Sequence, residues 1–286
     1  MPDFQMSSLN EYREKTFRLT EAERIKNPEQ ALEYINERGF VFFWPIKDAH
    51  FPNLWTAVAG DRMVPNEHDD PGHITWGWKD QALGKRIWYY AKVLRNKSTF
   101  ISLDVIPYFY ALTDNYGSPD EDYLISYQDG RLSREEKMVY ESILKNGPMH
   151  TIDLKRTSRL AGMENKSRFD RALEKLQSEF RILPVGVAEA GTWNYTFIYD
   201  LTSHHFPNLP SRARLIGDWE ARKKLVESYF LSMGAANLKE IQRLFRWDPV
   251  ITLKVLEMLL EGGFISSKPD QCENPAIQYW LPQFTI

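Results

Sequence analysis

From residue 133 onward the apolar positions follow two periods in turn. Met138, Val139, Ile143 and Leu144 recur at helical spacing behind Ser133 and Glu136, which stand at the separation of a capping box, and Gly147-Pro148 stops the pattern. A second, short helix fits Ile152 to Leu160 and ends near Gly162. A third, Lys166 to Phe180 with Asn165 as its cap, carries Phe169, Ala172, Leu173, Leu176 and Phe180 on one side. The period then shortens to two. ILPVGV and TWNYTFIYDL are β-branched and aromatic runs, and Ala188-Glu189-Ala190-Gly191 between them predicts a hairpin. Three helices followed by a two-stranded wing make the winged-helix variant of the helix-turn-helix.

The same order returns after the linker FPNLPSR. Trp219 to Met233 predicts a first helix, Asn237 with Glu240 caps a second, and Asp248 with Pro249 opens a third. Gly262-Gly263 breaks that helix before FISS and IQYWL, the expected wing strands. A related pattern precedes both. Thr20 and Glu23 have capping-box spacing, Pro28 opens a helix through Arg38, and RIWYYAKVL and TFISL read as strands. The expected fold is mainly α with small β wings, an α+β chain of tandem winged-helix repeats. It divides into residues 1–130, a winged-helix-like domain with basic and aromatic strands, 131–206, a middle winged helix, and 211–286, a C-terminal one.

A chain of 286 residues, 43% hydrophobic, suffices for two or three modest cores. No window approaches the roughly 18 apolar residues of a membrane span, and the opening MPDFQMSSLNEYREK is too charged for a secretory signal, so a cytoplasmic protein is expected. Cys272 is the single cysteine, and no zinc-binding spacing occurs. The cluster NEHDDPGH brings His68, Asp69, Asp70 and His73 together, but Asp70-Pro71-Gly72 reads as a turn. No metal and no cofactor is expected.

The formal net charge of -3 hides an uneven distribution. Residues 1–130 hold 14 basic and 20 acidic side chains, 131–210 hold 12 and 10, and 211–286 hold 10 and 9. Within the acidic part, Lys79, Lys85, Arg86, Lys92, Arg95 and Lys97 face only Asp80, interleaved with Trp76, Trp78, Trp88, Tyr89 and Tyr90. That pattern suits phosphate neutralisation and base stacking, provided one face of the aromatic strand stays outside the core. A helix that enters the major groove needs basic and polar residues outward. Lys166, Arg168, Arg171 and Lys175 supply them in the middle repeat, aided by Lys155, Arg156 and Arg159. The C-terminal counterpart, VITLKVLEMLLEGG, offers only Lys254 and is expected to be buried.

The segment RGFVFFWPIKDAHFPNLW, within RLTEAERIKNPEQALEYINERGFVFFWPIKDAHFPNLW, resembles the opening of the tandem winged-helix DNA glycosylases, the AlkZ and YcaQ-like group. In that family a glycine, an aromatic or aliphatic residue and valine precede a Gln-x-Gln or Gln-x-Asp motif, then proline and an Ala-His pair. Gly39, Phe40, Val41, Pro45, Ala49 and His50 stand in those places, and STFISLDVIPYFYAL, with Pro107, resembles the family's next segment. The resemblance implies excision of modified purines from DNA. The two motif positions, however, fall on Phe42 and Trp44, which offer no group to activate water or to stabilise charge on the sugar. Three readings follow: a protein that binds damaged or distorted duplex DNA, an active glycosylase that uses Asp48 or His50 instead, or a regulator or scaffold whose winged helices hold a protein partner.

Overall fold

The computed structural model describes residues 6–191, 195–267 and 278–285. Cys272 and residues 192–194 of the second expected wing strand lie outside them. The first elements are helix α1 (Met6–Thr16), α2 (Pro28–Arg38), strand β1 (Phe40–Phe42), α3 (Leu54–Ala59), α4 (Ile74–Ala82), β2 (Tyr89–Lys92), β3 (Ser98–Ile101), α5 (Ile106–Ala111) and α6 (Asp122–Gln128). There follow α7 (Arg134–Asn146), β4 (Met149–His150), α8 (Thr151–Thr157), α9 (Lys166–Ser178), β5 (Ile182–Ala188), β6 (Thr196–Leu201), α10 (Thr202–His205) and α11 (Leu209–Ala213). The last set is α12 (Asp218–Met233), β7 (Ala235–Ala236), α13 (Leu238–Phe245), α14 (Pro249–Glu261), β8 (Ser266–Ser267) and β9 (Tyr279–Trp280). The fold is α+β: helices dominate and the strands are short. Among the described residues no helix is long and apolar enough to cross a membrane.

Two three-stranded antiparallel sheets share one topology. In the order β4-β6-β5 the last strand lies between the other two, with Met149 opposite Tyr199 and Ile182 opposite Leu201. The order β7-β9-β8 repeats it, with Ala235 and Ser266 on either side of Trp280. In each case a helix precedes the first strand and two helices separate it from the pair. The elements α2, β1, α3, α4, β2 and β3 follow one another in that same sequence.

Side-chain caps start several of the helices. Ser133 and Glu136 close a full capping box on α7, Asn237 and Glu240 do so on α13, and Asp248 caps α14 ahead of Pro249. Two expected caps are absent. Asn165 makes no side-chain cap bond, because the 3₁₀ turn Met163–Asn165 runs directly into α9. Thr20 and Glu23 sit in a turn, and α2 is capped by Asn27, whose side chain accepts from the Gln30 N–H at 2.9 Å. Spacing alone does not make a cap when the next residues lack an apolar face to bury.

By packing, the chain divides into two compact units. One comprises Met1–Trp76, Phe100–Val105 and Asp218–Ile286, the other Gly77–Thr99 and Ile106–Gly217. In the first unit α1 is tied to the end of α12. Arg13 donates to the carbonyls of Met233 and Ala235, both at 2.9 Å, and the Tyr12 hydroxyl donates to Leu231 O at 2.6 Å. Its core is an aromatic stack in which Phe51 lies between Phe40, at 5.4 Å, and Tyr229, at 5.6 Å. In the second unit Val139, Ile143, Leu154, Phe169, Leu176, Ile182 and Leu201 fill the space between α7, α8, α9 and the β4-β6-β5 sheet.

Candidate nucleic-acid interface

Gly39 ends α2 with φ 78, a left-handed conformation in which any Cβ would also lie 3.1 Å from Val105. β1 then enters the core, and all three of its residues are buried. The Phe42 N–H donates to Pro52 O at 3.0 Å and the Trp55 N–H to Phe43 O at 3.1 Å, so the chain folds back on itself across 43–52. Phe42, at 0% exposure, points its ring edge-on to Phe51 at 5.9 Å. An extended segment that turns both Phe42 and Trp44 outward is therefore not what forms. Phe42 belongs to the core, since β1 is covered on both faces, and only Trp44 is half-exposed.

Trp44 is the centre of a cluster. Its ring meets Phe43 at 4.6 Å, Trp76 at 5.7 Å and His73 at 5.8 Å, all nearly perpendicular, with Trp55 at 6.3 Å behind. His73 stacks on Trp76 at 5.3 Å, and Trp76 keeps 39% of its surface exposed. Such perpendicular and offset pairs suit the ring quadrupoles. His73 and Trp76 are three residues apart where a 3₁₀ turn, Pro71–His73, passes into α4, which sets both rings on one side. Their spacing was legible in the sequence; the partnership with Trp44 was not.

The NEHDDPGH segment braces this cluster. Asp70 accepts from the Gly72 N–H at 2.7 Å, and Arg62 grips both its oxygens, at 2.7 and 3.0 Å, while lying 4.9 Å over Trp55. The hydrogen-bonded Arg62 guanidinium holds the Asp70 carboxyl below the usual carboxylate range. Among the described residues no group of three or more potential metal ligands occurs. The indole N–H of Trp55 and Nδ1 of His73 are buried without a hydrogen-bond partner. A Cβ on Gly72 would lie 2.8 Å from Ala59 Cβ and 3.0 Å from the Trp55 Nε1. Gly72→Ala is expected to lower stability by about 1 to 3 kcal/mol, read as a drop in melting temperature.

The other residues singled out in this segment stand apart from the cluster's rings. Asp48 occupies the exposed turn bridged by Ile46 and Ala49, with φ 62. The His50 ring packs on Phe17 at 4.8 Å, and desolvation of its covered side, reinforced by the Arg13 charge, holds its pKa below the ordinary value.

The basic and aromatic patch proves largely internal. Trp88, Tyr89 and Tyr90 are all buried, Tyr89 against Phe180 at 5.2 Å, so neither face of β2 is free for bases. Lys79, only 4% exposed, pairs with Asp80 at 2.8 Å, donates to the Tyr195 hydroxyl at 3.0 Å and lies 4.7 Å over Phe197. Burial lowers its pKa although Asp80 opposes the shift, and it is not a phosphate contact. Lys92 is paired with Glu174 at 2.8 Å and Arg95 is half-buried, leaving Lys85, Arg86 and Lys97 exposed.

On α9 the outward basic face is real, with one exception. Lys166, Arg168 and Arg171 are exposed, Arg168 lying 3.7 Å from Glu135. Lys175 is turned back, 3.5 Å from Glu136 and 3.4 Å from Glu179, and donates to Arg131 O at 2.5 Å. On α14, Lys254 lies 4.3 Å over Trp219. The expectation that α14 is buried fails on one side. Thr252, Val255, Leu256 and Leu259 are buried, but Val250 is 74% exposed and Leu253 is also exposed, because the helix has more apolar positions than one packed face can cover.

The fold has a counterpart among solved structures. The DNA glycosylase AlkZ of Streptomyces sahachiroi superposes with a TM-score of 0.57 over 96% of this chain and 69% of that one, at 12% identity, a likeness of fold. No curated protein matches. A family model described as AlkZ related matches residues 25–246, which include β1, the Trp44 cluster and the whole of the α7–β6 repeat. With well over half of its length in that match, the chain belongs to the AlkZ-related family.

Proposed function

We propose that this protein is a DNA-binding relative of the repair glycosylases, built of tandem winged helices, that recognises damaged or distorted duplex without hydrolysing the N-glycosidic bond. The observation that carries this reading is the pair of residues at the family's motif positions. Phe42 is sealed in an aromatic core, and Trp44 is packed into a cluster with Trp76 and His73. Neither side chain has a carboxylate or amide with which to place water or to stabilise an oxocarbenium-like sugar. What the cluster offers instead is the exposed part of Trp76, backed by His73, a surface on which an unpaired base or an exposed sugar edge can stack. The exposed Lys166, Arg168 and Arg171 of α9 supply the phosphate contacts in this reading, with Lys85, Arg86 and Lys97 as further cations. A cytoplasmic setting belongs to the same reading.

Trp76 is a better probe than Trp44, because less of it is structural. Trp76→Ala is expected to weaken binding to duplex with an abasic site by about 1 to 3 kcal/mol while changing affinity for intact duplex little. Equal losses on both DNAs would remove the stacking role. Release of modified bases from alkylated DNA decides the catalytic question. No release is expected; release that disappears in Asp48→Asn or His50→Gln would establish the enzymatic reading instead.

A further inference from the structure

A cavity of about 400 Å³ opens between α7 and the end of α8. Arg134, Lys137, Glu141 and Lys145 line it from α7. Their spacing of three, four and four residues places them in one stripe, about 16 Å long at 1.5 Å per residue. Arg159 joins from the end of α8, at φ 59, a helix-end conformation where glycine or asparagine is the usual residue and where a guanidinium is kept here. Glu141 is the one acidic residue in the lining. Its carboxylate is engaged by Lys137 at 2.6 Å and by the Tyr123 hydroxyl at 3.0 Å. Among the described residues no hydrogen bond or ion pair holds the side chains of Arg134, Lys145 or Arg159. At the wall stands Tyr127, 39% exposed, with Lys137 5.4 Å from its ring centre.

Each part of this arrangement narrows the ligand. With Lys137 and Glu141 paired, Arg134, Lys145 and Arg159 remain and call for an anion. Spread along about 16 Å rather than converging on a point, they suit a chain of phosphates better than one small phosphate. A groove of about 400 Å³ suits an extended strand better than a double helix, and the exposed Tyr127 ring offers a base a face to stack on. We infer that the α7–α8 groove binds a single-stranded segment of DNA, with Arg134, Lys145 and Arg159 on successive phosphates and Tyr127 against a base. This inference rests on the reading of the protein as a DNA binder, and adds to it a surface that the α9 face does not use. A protein with both surfaces holds a duplex on one and a displaced or frayed strand on the other.

The test uses the full-length protein and a fluorescent oligothymidylate of about 12 nucleotides, beside an intact duplex and inorganic pyrophosphate. The double variant Arg134→Glu with Lys145→Gln is expected to weaken single-strand binding about tenfold or more and to flatten its log affinity against log salt by about 1.4, the loss of two phosphate contacts. Tyr127→Ala weakens it about tenfold without changing the salt slope. Both variants keep duplex affinity to within about twofold. Unaltered melting temperatures confirm that these surface changes leave the fold intact. Duplex binding by a protein that ignores the oligothymidylate would overturn the groove and spare the reading of Trp76 and α9. Equal loss of duplex and single strand in the double variant would also overturn it, as would tighter capture of pyrophosphate than of the oligonucleotide. Failure to bind either DNA would overturn both proposals together.

Discussion

Phe42→Ala is expected to lower the free energy of unfolding by about 3 to 5 kcal/mol, because it empties a site enclosed by Phe51 and its stacked partners. Phe42→Gln should fare no better. An amide at this position would sit among aromatic rings, and leaving it without hydrogen-bond partners costs about 1 to 3 kcal/mol in addition to the lost packing. The family's polar residue therefore cannot be restored here by one replacement. Urea unfolding gives the measurement: a lower midpoint with an unchanged slope, the same with and without DNA. A Phe42→Gln protein that keeps its stability, and begins to release alkylated bases, would show that the position faces the DNA after all.

The second large effect concerns α9. Exchanging Arg168 and Arg171 for Glu should weaken duplex binding about a hundredfold at low salt and flatten the salt dependence by about 1.8, two phosphate contacts at 0.9 each. Arg168→Glu also brings a like charge toward Glu135, now 3.7 Å from the guanidinium, so the helical content of the variant is checked by circular dichroism. Lys254→Glu is the control. Its ammonium already lies on Trp219, and the change should alter affinity less than about twofold. Matching losses at α9 and at Lys254 would mean a diffuse electrostatic attraction, and α9 would lose its special role.

The local grammar of the chain was legible from residues alone. Ser133 with Glu136 and Asn237 with Glu240 form the capping boxes their spacing predicts, and Gly147 and Gly262 end helices where the apolar pattern stops. The change of period after Phe180 marks β5 and β6, and the repeated order of helices and strands is visible twice over. These features are decided within a few residues, by hydrogen bonds between a side chain and the nearest backbone or by the side of a helix that carries apolar groups. The resemblance around Gly39 to His50 likewise pointed to the family to which the chain belongs.

What periodicity does not contain is the identity of the partner across the core. Lys79 and Lys97 look alike in sequence, yet one is buried against Asp80 and Tyr195 and the other is exposed. Base stacking by Trp88, Tyr89 and Tyr90 required one face of the strand to stay outside the core, and none does, because both sides of β2 are covered. Phe42 and Trp44 are two residues apart and differ in fate because the strand ends between them. The cluster that surrounds Trp44 gathers residues from positions 43 to 76, and the first compact unit joins α1 to α12 across more than two hundred residues. Burial of this kind follows from the apolar area that distant segments remove from water together. A charged side chain turns inward only when such packing also supplies its counter-charge, as Asp80 does for Lys79, and that pairing exists only once the tertiary structure has formed.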